Sequence, residues 1–256
     1  MARAAKPSDK SPTAASGGRN GADSDREAIV DALMTLAADR PYDDIEIPDI
    51  CEKADLSLAR FRACFPSKGA VLAAFSKRID REVLEGTTDE LAHEPARERL
   101  FDVYMRRIDA LAPYKAALRR IAYAVRRDPL ALAALNQEAL NSQRFMLAAA
   151  GIPTEDSLGL VRLQGAVLVF SNTLETWYSD DSVDLARTMA RLDRELRRGE
   201  RIMERAQDAE RMAAPLRALA DALMQGGRRL ARGEAFGGSR RRDEPTGEER
   251  DPAAAI

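Results

Sequence analysis

Apolar residues recur with the period of an α-helix along almost the whole stretch from residue 24 to residue 225. In the first such segment, Ile29, Leu33 and Leu36 fall on one face, because side chains three and four residues apart share one side of a helix. Aromatic residues make up only 5% of the 256 residues, whereas Ala, Leu and Arg are abundant, and this balance favours helix over strand. The sequence therefore predicts an all-α protein.

Both ends of the chain lack this periodicity. Residues 1–23 are rich in Ala, Ser, Gly and Lys, and residues 226–256 contain runs of like charge. Segments of this composition cannot bury enough apolar surface to order themselves, so we expect two disordered tails. We divide the ordered region between them into an N-terminal domain over residues 24–80 and a helical domain over residues 81–225.

Four short helices are predicted at the start of the ordered region. The first begins with a capping-box pattern at Ser24 and ends at Pro41. Pro48 suits the first turn of the second helix, while Ser57 and Ser67 suit the N-caps of the third and fourth. Because the second and third are separated only by a tight turn, the pattern predicts a helix-turn-helix, whose last helix can enter a DNA major groove.

The balance of charge reverses within this segment. Ten acids stand against three basic residues between Asp25 and Asp55, whereas the run from Leu56 to Ile79 contains five basic residues and no acid. The formal net charge of the whole chain is only −2, so the asymmetry is local. A cationic face on two short helices is what a phosphate backbone selects, although solvated charge runs are also common on ordinary surfaces.

The run from Tyr42 to Phe75 resembles the DNA-binding domain of TetR-family transcriptional regulators. The positions that keep the family's spacing are Tyr42, Ile47, Asp49, Ile50, Ala54, Leu56, Ser57, Phe61, Phe65, Pro66, Ser67, Lys68 and Leu72. The resemblance implies an all-α homodimer with a TetR-like fold that binds double-stranded DNA through its helix-turn-helix. It further implies a transcriptional regulator, with repression as the expected sense, whose C-terminal domain binds a small apolar effector that controls operator binding.

The residues expected to contact DNA lie on the third helix and at the start of the fourth. They are Ser57, Leu58, Ala59, Arg60, Arg62, Ala63 and Lys68. We expect Arg60 to read guanine edges, since arginine makes the commonest specific contact with guanine. Arg62 is expected to hold a phosphate through its charged guanidinium. Lys68 is expected to meet the DNA backbone from a helix N-terminus.

Several positions depart from the family's pattern, and they fall where DNA contacts are expected. Glu46 stands where the family usually has threonine, and this acid would repel a nearby phosphate. Asp55 stands in place of the turn glycine. Ala59, Arg62 and Cys64 replace the glycine, tyrosine and histidine of the recognition helix. We therefore expect fewer specific base contacts than is usual for the family.

Five or six helices are predicted between residues 95 and 225. The expected elements are Arg97–Ala112, Tyr114–Arg127, Leu130–Ala150, Glu155–Tyr178, a long helix capped by Asp181 or Ser182, and a last helix near Pro215. The long helix carries a near-heptad run that consists of Leu185, Met189, Leu192 and Leu196. We expect the last two long helices to pair with their copies in a second subunit as a four-helix bundle. The alternative is that the near-heptad run packs on the core of its own chain.

A second resemblance covers Thr173 to Leu196, which is similar to the C-terminal part of coenzyme Q biosynthesis proteins that bind isoprenoid lipids in a TetR-like fold. The shared residues are Trp177, Asp181, Ser182, Thr188, Leu192, Asp193 and Arg194. This resemblance implies an alternative function, a lipid-binding accessory protein of quinone biosynthesis with little or no DNA binding. The side chains expected to orient an apolar effector or lipid are Tyr123, Asn136, Gln164, Asn172 and Trp177. Trp177 suits a core anchor equally well, and Asp181 and Ser182 suit a helix cap.

Other classes of function find no support in the sequence. His93 is the single histidine, and Cys51 and Cys64 lack the spacing of metal ligands, so we expect no metal and no cofactor. A glycine-rich phosphate loop and a His-supported nucleophile are both absent, so we do not expect an enzyme. No stretch reaches 18 apolar residues and the N-terminus lacks a signal-peptide core, so a cytoplasmic protein without a membrane span is expected.

Overall fold

A computed structural model describes the backbone of residues 17–231. Within these residues the chain forms nine α-helices joined by short turns and contains no strand. The helices are α1 (Gly17–Asp39), α2 (Ile47–Lys53), α3 (Leu58–Cys64), α4 (Lys68–Glu85), α5 (Ala96–Leu111), α6 (Lys115–Val125), α7 (Pro129–Ala149), α8 (Gly159–Trp177) and α9 (Ala186–Ala231). The prediction of an all-α fold is confirmed, and we refer to α1–α4 below as the head.

The two predicted tails are only partly covered by the described residues. Residues 1–16 and 232–256 lie outside them. Residues 17–23 form the first turns of α1, so this helix begins ahead of the capping pattern predicted at Ser24. The contacts of α1 with α3 come from Asp25 and Arg26, which lie beyond Ser24, so they do not explain these additional turns. Residues 226–231 likewise belong to α9.

The long helix α9 also differs from the prediction. It begins at Ala186 rather than at a cap formed by Asp181 or Ser182. The carboxylate of Asp180 accepts hydrogen bonds from the backbone N–H and the hydroxyl of Thr188, at 2.9 and 2.7 Å, and ties the preceding loop to the first turn. The separate helix predicted near Pro215 is instead part of α9. By its contacts the chain forms two units, residues 1–206 and 207–256, and the second contains only the C-terminal part of α9 among its described residues.

The predicted caps of the helix-turn-helix are present. The Ser57 hydroxyl accepts the backbone N–H of Arg60 at 3.3 Å, and the Ser67 hydroxyl accepts that of Ala70 at 3.2 Å. Between α2 and α3, Asp55 has a backbone φ of 53°, in the left-handed region that favours glycine. The turn that the family builds with glycine is therefore made here by an aspartate at some cost in strain.

A buried polar network joins the head to the helices behind it. Asp80 near the end of α4 pairs with Arg107 of α5 at 3.0 Å, and both bond to the hydroxyl of Ser142 on α7. All three side chains are buried. Burial lowers the pKa of the Arg107 guanidinium, and the adjacent Asp80 carboxylate opposes this shift. Because breaking a buried pair leaves an uncompensated charge, this network resists separation of α4 from α5 and α7.

The near-heptad run of α9 packs on the core of its own chain. Leu192 and Leu196 are both buried within the single chain, so this part of the run does not lie on an outer surface. Trp177, at the end of α8, is 1% exposed and packs beside the ring of Tyr178, with centroids 5.4 Å apart. Leu192 and Leu196 therefore follow the alternative interpretation, in which the run packs on the core of its own chain.

Replacing Asp55 by glycine should stabilise the head. Glycine adopts a positive φ without the steric penalty of a Cβ, so we expect Asp55→Gly to raise the free energy of unfolding by about 1 kcal/mol in urea denaturation. Asp55→Ala removes the same charge but keeps the Cβ, and it should give no gain. Equal stability of the glycine and alanine variants would contradict this account of the turn.

Candidate nucleic-acid interface

The short helix α3, which the sequence predicts to be a recognition helix, is largely exposed. Its predicted contact residues Leu58, Ala59, Arg60, Arg62 and Ala63 are exposed, as is the capping residue Ser57. Beneath them Phe61 is buried, and its ring lies 6.2 Å from that of buried Phe65. Six of the seven residues predicted to contact DNA are therefore exposed on one short helix and its N-cap.

The guanidinium of Arg60 pairs with a carboxylate of α1. Its Nε and Nη2 atoms donate to Oδ2 and Oδ1 of Asp25 at 2.8 and 2.5 Å. The arginine side chain is 56% exposed, whereas that of Asp25 is 14% exposed. Sequence patterns do not indicate this pair, because the two residues are 35 positions apart.

Arg26 makes a second contact between α1 and α3. Its Nη1 donates to the backbone carbonyl of Cys64 at 2.6 Å, and its guanidinium lies 4.4 Å from the centre of the Phe65 ring. Cys64 is the last residue of α3, where helix carbonyls lack partners within the helix. Asp25 and Arg26 thus attach α1 to the middle and to the C-terminal end of α3.

Lys68 lies at the N-terminus of α4, as predicted, and its ammonium bonds within the head. Its ammonium donates to the backbone carbonyls of Tyr42 and Ile45 at 2.8 and 2.7 Å and lies 4.1 Å from the centre of the Tyr42 ring. Burial lowers the pKa of Lys68, with nearby acids opposing the shift, and burial raises the pKa of Tyr42 to about 12. The ammonium therefore joins the start of α4 to the segment between α1 and α2, where the Tyr42 carbonyl also accepts the backbone N–H of Ile45 at 3.3 Å.

Two other cations of the head, Arg40 and Arg78, are also bonded within the protein. Arg78 pairs with Glu27 and Asp31 at 3.1 and 2.7 Å, and Arg40 pairs with Asp49 at 2.7 Å. On the surface of α3, Arg62 is the exposed cation for which no ion pair is found among the described residues. The electrostatic attraction that this face offers to a phosphate backbone therefore depends mainly on Arg62.

The departure at Glu46 lies at the N-cap of α2. The backbone N–H of Glu46, at the start of α2, donates to the Asp49 carboxylate at 2.7 Å. This bond, followed by that from Arg40, holds the pKa of Asp49 below its usual value. The Glu46 side chain itself is exposed, so its charge is open to solvent.

The side chains predicted to bind an effector do not converge. Tyr123 is 67% exposed and Gln164 is exposed, whereas Trp177 lies in the core. Asn136 and Asn172 are half-buried, and Asn172 donates to Glu195 at 3.4 Å. The prediction rested on polar residue type alone, which does not show the side of the helix on which a residue lies. Tyr123 and Gln164 lie on the outer sides of their helices.

Two surface depressions in the described part of the chain are lined by other residues. The first is lined by Arg144, Ala148, Gly151, Ile152, Pro153, Thr154 and Glu155. The second is lined by Leu91, Glu94, Pro95, Glu98, Phe101, Asp102 and Met105. Between α5 and α8 the core is filled by aromatic rings, with Tyr104 and Phe170 5.0 Å apart. None of the five predicted ligand contacts lines either depression.

Neither a metal site nor a membrane-spanning helix is found in the described residues. No cluster of His, Cys, Asp or Glu is arranged to hold a metal ion. Among the same residues, every helix is too short or too polar to cross a lipid bilayer.

Comparison with solved structures identifies the fold. The chain is similar to the crystal structure of the TetR transcriptional regulator from Nitrosomonas europaea ATCC 19718, with a TM-score of 0.55 and 22% identity over 68% of this chain and 97% of that one. It is also similar to a TetR transcriptional regulator from Rhodococcus sp. RHA1, with a TM-score of 0.51 and 16% identity over 69% and 96%. No protein-family model and no curated protein matches the sequence. The protein therefore has the fold of TetR transcriptional regulators.

Removing the Lys68 ammonium should destabilise the head. Lys68→Met loses two charged hydrogen bonds to backbone carbonyls, so we expect a fall of about 1–3 kcal/mol in the free energy of unfolding, measured in urea. Lys53, an exposed lysine of α2, provides the control, since Lys53→Met should change stability by less than about 0.5 kcal/mol. Similar losses in the two variants would show that the bonds of Lys68 are not structural.

Proposed function

We propose that this protein is a DNA-binding transcriptional regulator of the TetR type, with repression as its sense. The observation that carries the proposal is the outward face of α3, where Arg60 and Arg62 stand above buried Phe61 within a TetR fold. A single exposed helix of this kind fits the width of a major groove. The exposed Ser57 and Leu58 at its N-terminal end are then in position to contact base edges.

The charge of the head implies that general attraction to DNA is modest. Arg40, Lys68 and Arg78 bond within the protein, and Arg60 shares its charge with Asp25. Lys53 and Arg62 are the exposed cations of α2 and α3 for which no ion pair is found among the described residues, so we expect each head to neutralise about two phosphates. Affinity for arbitrary DNA should consequently be low, and recognition depends on the fit of α3 to a particular operator.

We further propose a homodimer formed by the outer face of α8 and α9. Asn172 of α8 donates to Glu195 of α9, so the two helices lie side by side at this point. Val161 and Leu168 share the Asn172 side of α8 by helical spacing, and they are 46% and 61% exposed. An apolar stripe of this kind on a helix pair is suited to packing against its copy in a four-helix bundle.

The neighbouring face of α9 carries a row of arginines that this dimer must accommodate. Its members are Arg194, Arg198, Arg201 and Arg205, which are spaced four, three and four residues apart and so share one side of the helix. All four are exposed, and no ion pair is found for them among the described residues. Bringing two copies together therefore places like charges close to one another, which opposes association at low salt.

Control by a small apolar effector in the helical domain is the remaining part of the proposal. Asp80 lies on α4, the helix that begins at the end of the recognition motif, and it is bonded to α5 and α7. A ligand that separates these helices has to displace α4, and α4 bears directly on the head. The alternative role as a lipid-binding accessory protein gains no support, since Trp177 is buried and Thr188 serves to fix the start of α9.

The salt dependence of DNA binding tests the proposal. We expect the protein to enrich a particular sequence from a library of random duplexes, with a log–log salt slope of about −4 for a dimer that neutralises about four phosphates. Arg62→Gln removes one contact per head and should reduce the magnitude of this slope by about 2. Arg81→Gln serves as the control, since Arg81 is exposed but lies about 20 Å along α4 from Lys68. Failure to enrich any duplex would overturn the proposed function.

The self-association of the protein should strengthen as salt is added. Screening weakens the repulsion between the two arginine rows while the apolar contact persists, so sedimentation equilibrium should show a lower dimer dissociation constant at high salt. Replacing the four arginines by glutamine should tighten the dimer at low salt and flatten its salt dependence. Leu168→Asp should give monomers at every salt concentration. A dimer that survives Leu168→Asp unchanged would place the interface elsewhere.

A further inference from the structure

Asp25 and Arg60 form a two-point contact that leaves one end of the guanidinium free. Nε and one hydrogen of Nη2 are engaged by the two carboxylate oxygens. A guanidinium has five N–H donors, so both hydrogens of Nη1 and the second of Nη2 remain available. Two parallel donors at that end match the adjacent O6 and N7 acceptors of a guanine in the major groove.

We propose that Asp25 is a positioning residue that aims Arg60 at a guanine and so sets the sequence preference of the recognition helix. The inference rests on the proposed DNA-binding function and names the acceptor that Arg60 reads. An arginine on a seven-residue helix is otherwise free to turn towards the nearest phosphate. With Nε and Nη2 fixed from below, the free end of the guanidinium points along one direction only.

The distribution of exposure distinguishes aiming from masking. A masking carboxylate has to lie over the guanidinium, between it and the DNA. Here the carboxylate is the less exposed partner, with its side chain 14% exposed, and the arginine is the more accessible one at 56%. Asp25 is therefore screened from the phosphate backbone while Arg60 remains open to an acceptor.

The pair also changes what Arg60 is attracted to. With a carboxylate bound, the net charge of the pair is close to zero, so Arg60 gains little from a phosphate but keeps its directional donors. Removing the Asp25 carboxylate restores the full positive charge of Arg60. Loss of Asp25 is therefore expected to raise affinity for DNA in general and to lower discrimination between sequences.

The variant Asp25→Asn tests the inference, and the same helix offers a matched control. Glu27 lies two residues along α1 and pairs with Arg78 at 3.1 Å, so Glu27→Gln alters the net charge equally without touching Arg60. Each protein is measured by fluorescence anisotropy on the duplex enriched by the wild type and on the same duplex with its preferred guanine replaced. Asp25→Ala repeats the test without an amide in place of the carboxylate, and circular dichroism checks that each variant is folded.

We expect the wild type and Glu27→Gln to prefer the guanine duplex by about 10-fold or more, the usual discrimination of a two-point arginine–guanine contact. In Asp25→Asn the preference should fall below about 3-fold, while affinity for the replaced duplex rises and its salt slope steepens by about one phosphate per head. Two results would overturn the inference. The first is a gain of the same factor on both duplexes, which is the signature of masking; the second is an unchanged preference with a lower melting temperature, which indicates a purely structural pair.

A measurement without DNA separates failure of this inference from failure of the proposed function. If the wild type enriches no duplex, the proposed function fails, and the mobility of Arg60 then decides the role of Asp25. Nitrogen-15 relaxation of the Arg60 Nε–H should report a rigid side chain in the wild type and in Glu27→Gln and a mobile one in Asp25→Asn. Equal mobility in all three proteins would contradict any positioning role.

Discussion

The attachment of α1 to α3 is the contact on which the rest of the head depends. A helix of seven residues is not stable by itself, and its direction has to be set by its neighbours. The buried ring of Phe61 packs α3 onto the core of the head. Asp25 pairs with Arg60 in the middle of the helix, and Arg26 donates to the carbonyl of Cys64 at its C-terminal end. Because α1 continues back to Gly17, both residues lie within a regular helix rather than in a loose tail.

The helices α1 and α4 connect the head to the helical domain. Arg120 of α6 donates to the backbone carbonyl of Ala38 near the end of α1, and Asp80 of α4 is tied to Arg107. The domain boundary predicted after residue 80 falls inside α4, which spans Lys68–Glu85. A change in the packing of α4 or α6 is therefore expected to reach α3 through rigid helices, and this is the physical basis for effector control in the proposed function.

The elements that the sequence predicted well are those set by local chemistry. Ser57 and Ser67 cap their helices, and the strained turn falls at Asp55, because each feature involves residues only a few positions apart. The hydrogen-bond acceptors of Lys68 were not predictable in this way, since they lie 23 and 26 residues away in the sequence. The pairing of Asp25 with Arg60 was not predictable either, because α1 and α3 come into contact only in the folded protein.

Amide hydrogen exchange at α3 tests most directly whether α1 holds the recognition helix. The comparison is between the wild type and Arg26→Gln, which loses the bond to the Cys64 carbonyl and the contact with the Phe65 ring. We predict that the amides near the C-terminal end of α3 lose protection in the variant, while those of α2 and α4 keep it. Unchanged protection throughout α3 would contradict the account, because the recognition helix would then be held in place without α1.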